Sequence, residues 1–385
     1  MPRSLVAALA CAALLGASPA RAFDTSGTAA LIVDHATGMV LLEKNADEPL
    51  PPASMSKLMT LYMLFDAIRD GRVTLDTEFV VSRRAQSKGG SRMFVEAGTT
   101  VPVIDLIRGI IVQSGNDACV VVAEGLYGSE EAFARAMTDR ARELGLAGTT
   151  LKNSSGWPEP GHLMSARDIV KLSRLLIDEF PEYYTLFDET EYTWNNITQQ
   201  NRNPLLTLGI GADGLKTGHT REAGYSLAAS AVQDGQRIVF VVNGLENQQR
   251  RRIETEQMVR WAFGAFQPVH FFDAGETVAN ARVWLGERDA VPLVAPQPVQ
   301  MLVPHDARPG VAAEIVYSGP IEAPIAAGDA IAELVVRVPG WEDPARFPLV
   351  AGEDVAVGGF LRRIEAAATI ARDRAFGLIA FPATE

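Results

Sequence analysis

Pro52-Ala-Ser-Met-Ser-Lys-Leu-Met-Thr60 is the stretch on which the reading of this chain turns. Ser54 and Lys57 stand three residues apart, so on a helix both side chains share one face about one turn apart. Apolar residues at Met55, Leu58, Met59, Tyr62 and Phe65 continue the helical period, and Ser54 is expected to open that helix. A serine in this place is ordinarily a cap and nothing more. Two later segments change its meaning: Ser114-Gly115-Asn116 and Lys216-Thr217-Gly218. In that order the three supply a nucleophilic hydroxyl, two amines that can share protons, an amide and a second hydroxyl. That inventory opens an amide bond through an acyl-enzyme.

Working outward, Thr28-Ala-Ala-Leu-Ile-Val-Asp34 reads as a strand, with a turn at Ala36-Thr37-Gly38 and a second strand from Met39 to Glu43. Val103 to Leu146 keeps a helical pattern that Gly115 interrupts. A helix from Ala166 to Phe180 follows Ser165, a cap with Asp168 three residues on. Strands return over Gly211 to Ser230 and Arg237 to Gly244, and a helix runs from Arg250 to Phe263. Strands at the ends with helices between them give an α+β domain over residues 23–267. From residue 268 to 352 the chain turns proline-rich and alternating, as in Ala330-Ile-Ala-Glu-Leu-Val-Val-Arg-Val, and reads as a small all-β domain.

Both ends carry their own signals. Arg3, the apolar run Leu5 to Leu15 and Ala20-Arg21-Ala22 form an export signal over residues 1–22, too short to span a bilayer. Residues 353–385 read as an amphipathic helix. Phe360, Leu361, Ile364, Ala368, Ala371 and Leu378 fall on one face, and Arg362, Glu365, Arg372 and Asp373 on the other. The whole chain has 35 basic against 47 acidic residues, a net charge of -12. Losing Arg3 and Arg21 with the signal leaves 33 against 47, or -14, and no nucleic-acid partner is expected. Cys11 leaves too, so Cys119 has no partner within the chain and the core must hold the fold.

Each motif has a physical role open to it. Burial and a nearby cation both disfavour the charged form of a lysine. Lys216 is the expected cation, and Lys57 the base toward Ser54. Ser114 can relay a proton to a leaving amine, while Asn116 can bond Lys57 and the substrate amide. Lys216 and Thr217 can grip a carboxylate, and Gly218 lets a substrate backbone lie beside the strand. A Ser-His-Asp triad through His219 is the rival arrangement, but nothing in the spacing singles out a carboxylate to orient it.

The order S-x-x-K, S-x-N, K-T-G resembles the signature shared by penicillin-binding proteins and class A β-lactamases. With Gln113-Ser-Gly-Asn-Asp-Ala118 and Asp213-Gly-Leu-Lys-Thr-Gly-His-Thr220, the chain closely resembles the low-molecular-mass D-alanyl-D-alanine carboxypeptidases over nearly its whole mature length. That resemblance implies an antiparallel sheet with a helical subdomain, a β-rich domain behind it and a C-terminal anchor. It makes Ser54 the nucleophile, Lys57 its base, Ser114 and Asn116 the second motif, and Lys216 a further catalytic amine. Thr217, Gly218 and His219 become the substrate strand. Arg251, between Arg250 and Arg252, resembles an arginine that holds the terminal carboxylate, and Arg202 a position at the cleft edge.

The expected substrate is peptidoglycan pentapeptide, cut on the periplasmic face of the inner membrane. β-Lactams are the covalent inhibitors, and neither cofactor nor metal is needed. A D,D-endopeptidase shares this chemistry, though such members often lack the β-domain and anchor. A β-lactamase is disfavoured by Ser-Gly-Asn in place of Ser-Asp-Asn and by the lack of a matching glutamate loop. A non-catalytic cell-wall scaffold is disfavoured by the intact chemical residues.

Overall fold

The computed structural model describes residues 23–360. Its centre is an antiparallel sheet with the order Val40–Lys44, Ala29–Asp34, Gln236–Leu245, Gly224–Gln233, Ala212–Thr220. The first strand therefore pairs with the last of the domain: Ile32 faces Phe240, and Ala30 faces Val242. All six residues of Ala29–Asp34 are buried, which explains a continuous apolar run where a one-sided strand would alternate.

The alternation survives in which core each residue enters. Ala29, Leu31, Val33, Val239 and Val241 meet the helical subdomain. Ala30, Ile32, Ile238, Phe240 and Val242 meet Met258, Val259 and Ala262 of the Gln248–Ala265 helix. A helix layer on each face makes both sides of the sheet apolar.

The helical side is built around Lys57–Arg69. Leu58, Met59, Leu61, Tyr62, Leu64 and Phe65 are all fully buried, so the helix is apolar nearly all round. Burying one such side chain contributes about 1.5–3 kcal/mol, and that mass of contacts fixes the residues at its start. The expected helix begins later than Ser54. Ala53–Ser56 forms a 3-10 turn, and the α-helix starts at Lys57. Ser54 lies inside that turn rather than at a cap, and its hydroxyl accepts from Lys57.

The long helical stretch resolves into Val103–Ile111, Asn116–Tyr127 and Glu130–Glu143, broken around Ser114 and again at Gly128. The expected cap at Ser165 is made, its hydroxyl accepting from the amide of Asp168 at 3.1 Å; the last helix starts at Gln248, two residues before its expected start, and Asn247 caps it by accepting from the amide of Arg250 at 2.8 Å.

Strand Phe266–Phe272 follows helix Gln248–Ala265 with no linker and opens a region made of strands. A six-stranded sheet there closes a core including Val291, Leu293, Leu334, Val336 and Leu349. Bridges from Val355 to Ile325 and from Val357 to Gly286 tie these later residues to the same domain. The amphipathic helix expected beyond them falls from residue 361 outside the described residues, as does the export signal. Among the described residues no helix is long and apolar enough to cross a membrane.

Candidate active site

The three sequence segments converge on one cleft between the helical subdomain and the edge strand Ala212–Thr220. Lys57 lies fully buried at the base of the cleft. Its Nζ stands 2.8 Å from Ser54 Oγ and 2.8 Å from Asn116 Oδ1, and a third contact runs to the carbonyl of Ser155. Burial is the first cause that pushes the Lys57 ammonium down to about 8, and the cations Arg202 and Lys88 add to it. Lys216, also buried, is driven well below its ordinary value by burial, then by Lys57 and Arg202. The cations that lower Lys57 after burial are Arg202 and Lys88 rather than the expected Lys216, which is itself depressed in part by Lys57.

Ser114 is buried and holds φ at +58°, the left-handed region that non-glycine residues enter at a cost of about 1–3 kcal/mol. Ala53, just before Ser54, sits there as well at +49°. Strain of this kind persists where the surroundings over-determine it. Asn116 is oriented from both ends, since its Nδ2 donates to the carbonyl of Gly89 at 2.8 Å while Oδ1 accepts from Lys57. Gly90 is needed beside it: at φ +76°, an added Cβ would meet Asn116 Nδ2 at 2.8 Å.

Lys216, Thr217 and Gly218 lie on the outermost strand, whose inner side pairs with Gly224–Gln233. The free edge can accept an extended peptide as an added strand. A Cβ on Gly218 would meet the Pro52 carbonyl at 2.9 Å and Met55 at 3.2 Å, so a glycine here brings the strand and the Ala53–Ser56 turn together. His219 is exposed and stacks on Tyr225 with centroids 3.9 Å apart. Among the described residues no carboxylate bonds it, which removes support for the triad.

Of the three consecutive arginines only Arg251 is buried. Its guanidinium lies 5.6 Å from the centre of the Tyr225 ring, and burial brings it down to about 10. Among the described residues it has no carboxylate partner, and Nε has no partner at all. A buried cation left in this state is a waiting site for an anion. Arg202, exposed at the rim, donates to Ser91 Oγ at 2.5 Å.

Some positioning residues escaped the sequence reading. Asn153 Oδ1 accepts from the amides of Ser155, Gly156 and Trp157 at 3.2, 2.9 and 3.0 Å, which curls the chain and aims the Ser155 carbonyl at Lys57. An Asx turn is legible in Asn-Ser-Ser-Gly, but its destination is not. Asp117, fully buried, accepts amides from Met93 and Phe94 at 2.8 Å each and shapes the opposite wall. Cys119 is buried behind the site, its thiol pushed up to about 12 by burial and so inert. Among the described residues no His, Cys, Asp and Glu group could hold a metal ion.

The fold and cleft define a serine peptidase with lysines in the place of the usual histidine. Residues 16–247 match the D-alanyl-D-alanine carboxypeptidase family, and residues 266–357 match the C-terminal domain of penicillin-binding protein 5. The D-alanyl-D-alanine carboxypeptidase DacC of Escherichia coli K12 is 36% identical over 342 residues, covering 87% of this chain and 85% of that protein. Penicillin-binding protein 5 from Haemophilus influenzae superposes with a TM-score of 0.78 at 32% identity, over 87% of this chain and 98% of that one. Penicillin-binding protein D2 from Listeria monocytogenes, solved in its ampicillin-bound form, matches with a TM-score of 0.57 at 29% identity, over 62% and 97%. The chain belongs to the D-alanyl-D-alanine carboxypeptidase family, and it is a serine-type carboxypeptidase of the penicillin-binding protein fold.

Proposed function

We propose that Ser54 is acylated by peptidoglycan pentapeptide with release of the terminal D-alanine, and that β-lactams acylate the same oxygen. The observation that carries this reading is the 2.8 Å contact between buried Lys57 Nζ and Ser54 Oγ. With its pKa at about 8, Lys57 is neutral in about a tenth of molecules at pH 7, against fewer than about one in a thousand for an ordinary lysine. Asn116 Oδ1 and the Ser155 carbonyl accept the two hydrogens of that neutral amine. Its lone pair is left for the Ser54 proton.

The Ser54 oxygen attacks the carbonyl of the penultimate D-alanine as its proton passes to Lys57. Backbone N–H groups of Ser54 and His219 take the oxyanion charge. The C–N bond then breaks, and Ser114 relays a proton to the departing D-alanine nitrogen. Arg251, Lys216 and Thr217 hold the terminal carboxylate, with Arg202 at the rim. Water attacks the acyl-enzyme and restores the serine.

The test is mass spectrometry of the penicillin adduct together with D-alanine release from diacetyl-Lys-D-Ala-D-Ala. Wild type should carry the adduct on Ser54 and release D-alanine, while Ser54→Ala should lose both, by at least about a thousandfold in rate. An adduct on another residue, or turnover that survives Ser54→Ala, overturns the assignment.

The N-terminal signal suits export to the periplasm. Residues 361–381 carry four arginines against two acids on an apolar-faced period, on an otherwise acidic protein. That composition supports peripheral anchoring at the outer face of the inner membrane.

A further inference from the structure

Glu130 is a buried carboxylate with no part in the chemistry described so far. It is 2% exposed and opens the helix Glu130–Glu143, just after the cap Ser129. Burial pushes its pKa up, but Lys88 and then Ser154 outweigh burial and hold the carboxyl below its ordinary value. An ionised group at this depth has to be matched by close partners. They come from two separate segments. Lys88 Nζ donates to Oε1 and Oε2 at 3.2 and 3.1 Å, and Arg84 donates to Oε2 at 3.0 Å. From the other segment, Ser154 donates its hydroxyl to Oε1 at 2.8 Å and its amide at 3.3 Å.

Both segments lead to Lys57. Next to Lys88 stands Gly89, whose carbonyl accepts from Asn116 Nδ2 at 2.8 Å and so turns Asn116 Oδ1 toward the amine. Next to Ser154 stands Ser155, whose carbonyl accepts from Lys57 directly. Ser154 is also held from the helix that Lys57 begins, its carbonyl accepting from Thr60 Oγ1 at 2.6 Å. The two groups that take the amine hydrogens of Lys57 are therefore set by the neighbours of Lys88 and Ser154. One carboxylate grips both.

We infer that Glu130 is a positioning residue for acylation, clamping the two cleft walls so that Asn116 Oδ1 and the Ser155 carbonyl keep the Lys57 lone pair aimed at Ser54. This rests on the reading of Lys57 as the base. Supporting groups of this kind hold a reacting atom within the fraction of an ångström that a proton transfer needs. Glu130 also sets the charge around the amine. After burial, Cys119 and Asp117 act to raise the Lys57 pKa while Arg202 and Lys88 lower it, and Glu130 is the counter-charge on Lys88. Neutralising Glu130 leaves the Lys88 cation unopposed and loosens both acceptors. Each change disfavours the ammonium, so both move the Lys57 titration to lower pH. A worse-aimed lone pair lowers the rate even where the amine is fully neutral.

The experiment is the pH profile of kcat/KM for D-alanine release from diacetyl-Lys-D-Ala-D-Ala, per site titrated with fluorescent penicillin, in wild type and Glu130→Gln. The glutamine keeps the volume and an oxygen for Ser154 but removes the charge facing Lys88. Its high-pH plateau should fall about tenfold. Its midpoint should move below the wild-type value of about 8, by about half a pH unit. Glu131→Gln is the control: that exposed carboxylate also holds Arg84, at 2.7 Å, and its loss should change neither quantity. A Glu130→Gln plateau within about twofold of wild type, or a lower plateau with an unmoved midpoint, overturns the clamp. Should Glu130→Gln not fold, Ser154→Ala decides, since it deletes one hydroxyl and keeps the charge. A plateau about threefold lower supports the clamp, and an unchanged one overturns it. A wild type that releases no D-alanine, or whose rate is flat between pH 6 and 8, overturns the reading of Lys57 beneath it.

Discussion

The catalytic half and the β-rich half of this molecule bury different things. Among the described residues, every buried polar or charged side chain lies between Thr25 and Thr255. The β-rich domain encloses Val291, Leu293, Val336, Leu349 and their neighbours, and its core holds no such group. Burying an ammonium or guanidinium without a counter-charge is costly. The catalytic domain bears that cost at Lys57, Lys216 and Arg251, and the apolar mass of the Lys57–Arg69 helix offsets it. In the proposed mechanism the same desolvation makes Lys57 the base, so instability and function would have one source. A domain with no buried charge has nothing comparable to react with.

Three outcomes would sharpen or break that contrast. The largest concerns pH. The Lys57 pKa is lowered, so its inactive protonated form dominates below about 8. The kcat/KM for D-alanine release should therefore rise about tenfold per pH unit up to about 8 and then level off, a loss of about a hundredfold at pH 6. A flat profile between pH 6 and 8 would mean that desolvation of this amine is not what arms the serine.

Leu349→Ala comes next. Leu349 is fully buried in the β-rich core, and its truncation should cost about 3 kcal/mol in denaturant unfolding of that domain. The kcat/KM on a soluble peptide should change by less than about twofold, because no reacting group is stored there. A tenfold fall would join the two halves functionally and end the separation.

The smallest effect is expected from ending the chain at Phe360. Unfolding and kcat/KM should both stay where they are, and only partition should change, with the full chain pelleting with membranes and the shortened one remaining in the supernatant. Pelleting of the shortened protein would remove the anchor from residues 361–385.

Much of the site could be read from the sequence because its reactive groups come in short local patterns. Ser54 with Lys57, Ser114 with Asn116, and Lys216 with Thr217 are each set within four residues, and local spacing survives folding. Arg251 is different: the chain offers Arg250, Arg251 and Arg252 as equals, and only packing against Tyr225 turns one of them inward. The helix start was misplaced for a related reason. A serine before an apolar period looks like a cap, whereas the contacts of Gly156 with the Ala53 carbonyl belong to a turn about a hundred residues further along the chain.

By itself the sequence determined the α+β class, the division into a catalytic and a β-rich part, and the chemical inventory of the cleft, since periodicity and motif spacing are properties of neighbouring residues. Tertiary structure alone decided which arginine is buried and that Asn153 turns the Ser155 carbonyl onto Lys57. Those facts depend on burial and on contacts between distant segments. Desolvation, which sets the Lys57 pKa, is a property of the packed interior that no single segment carries.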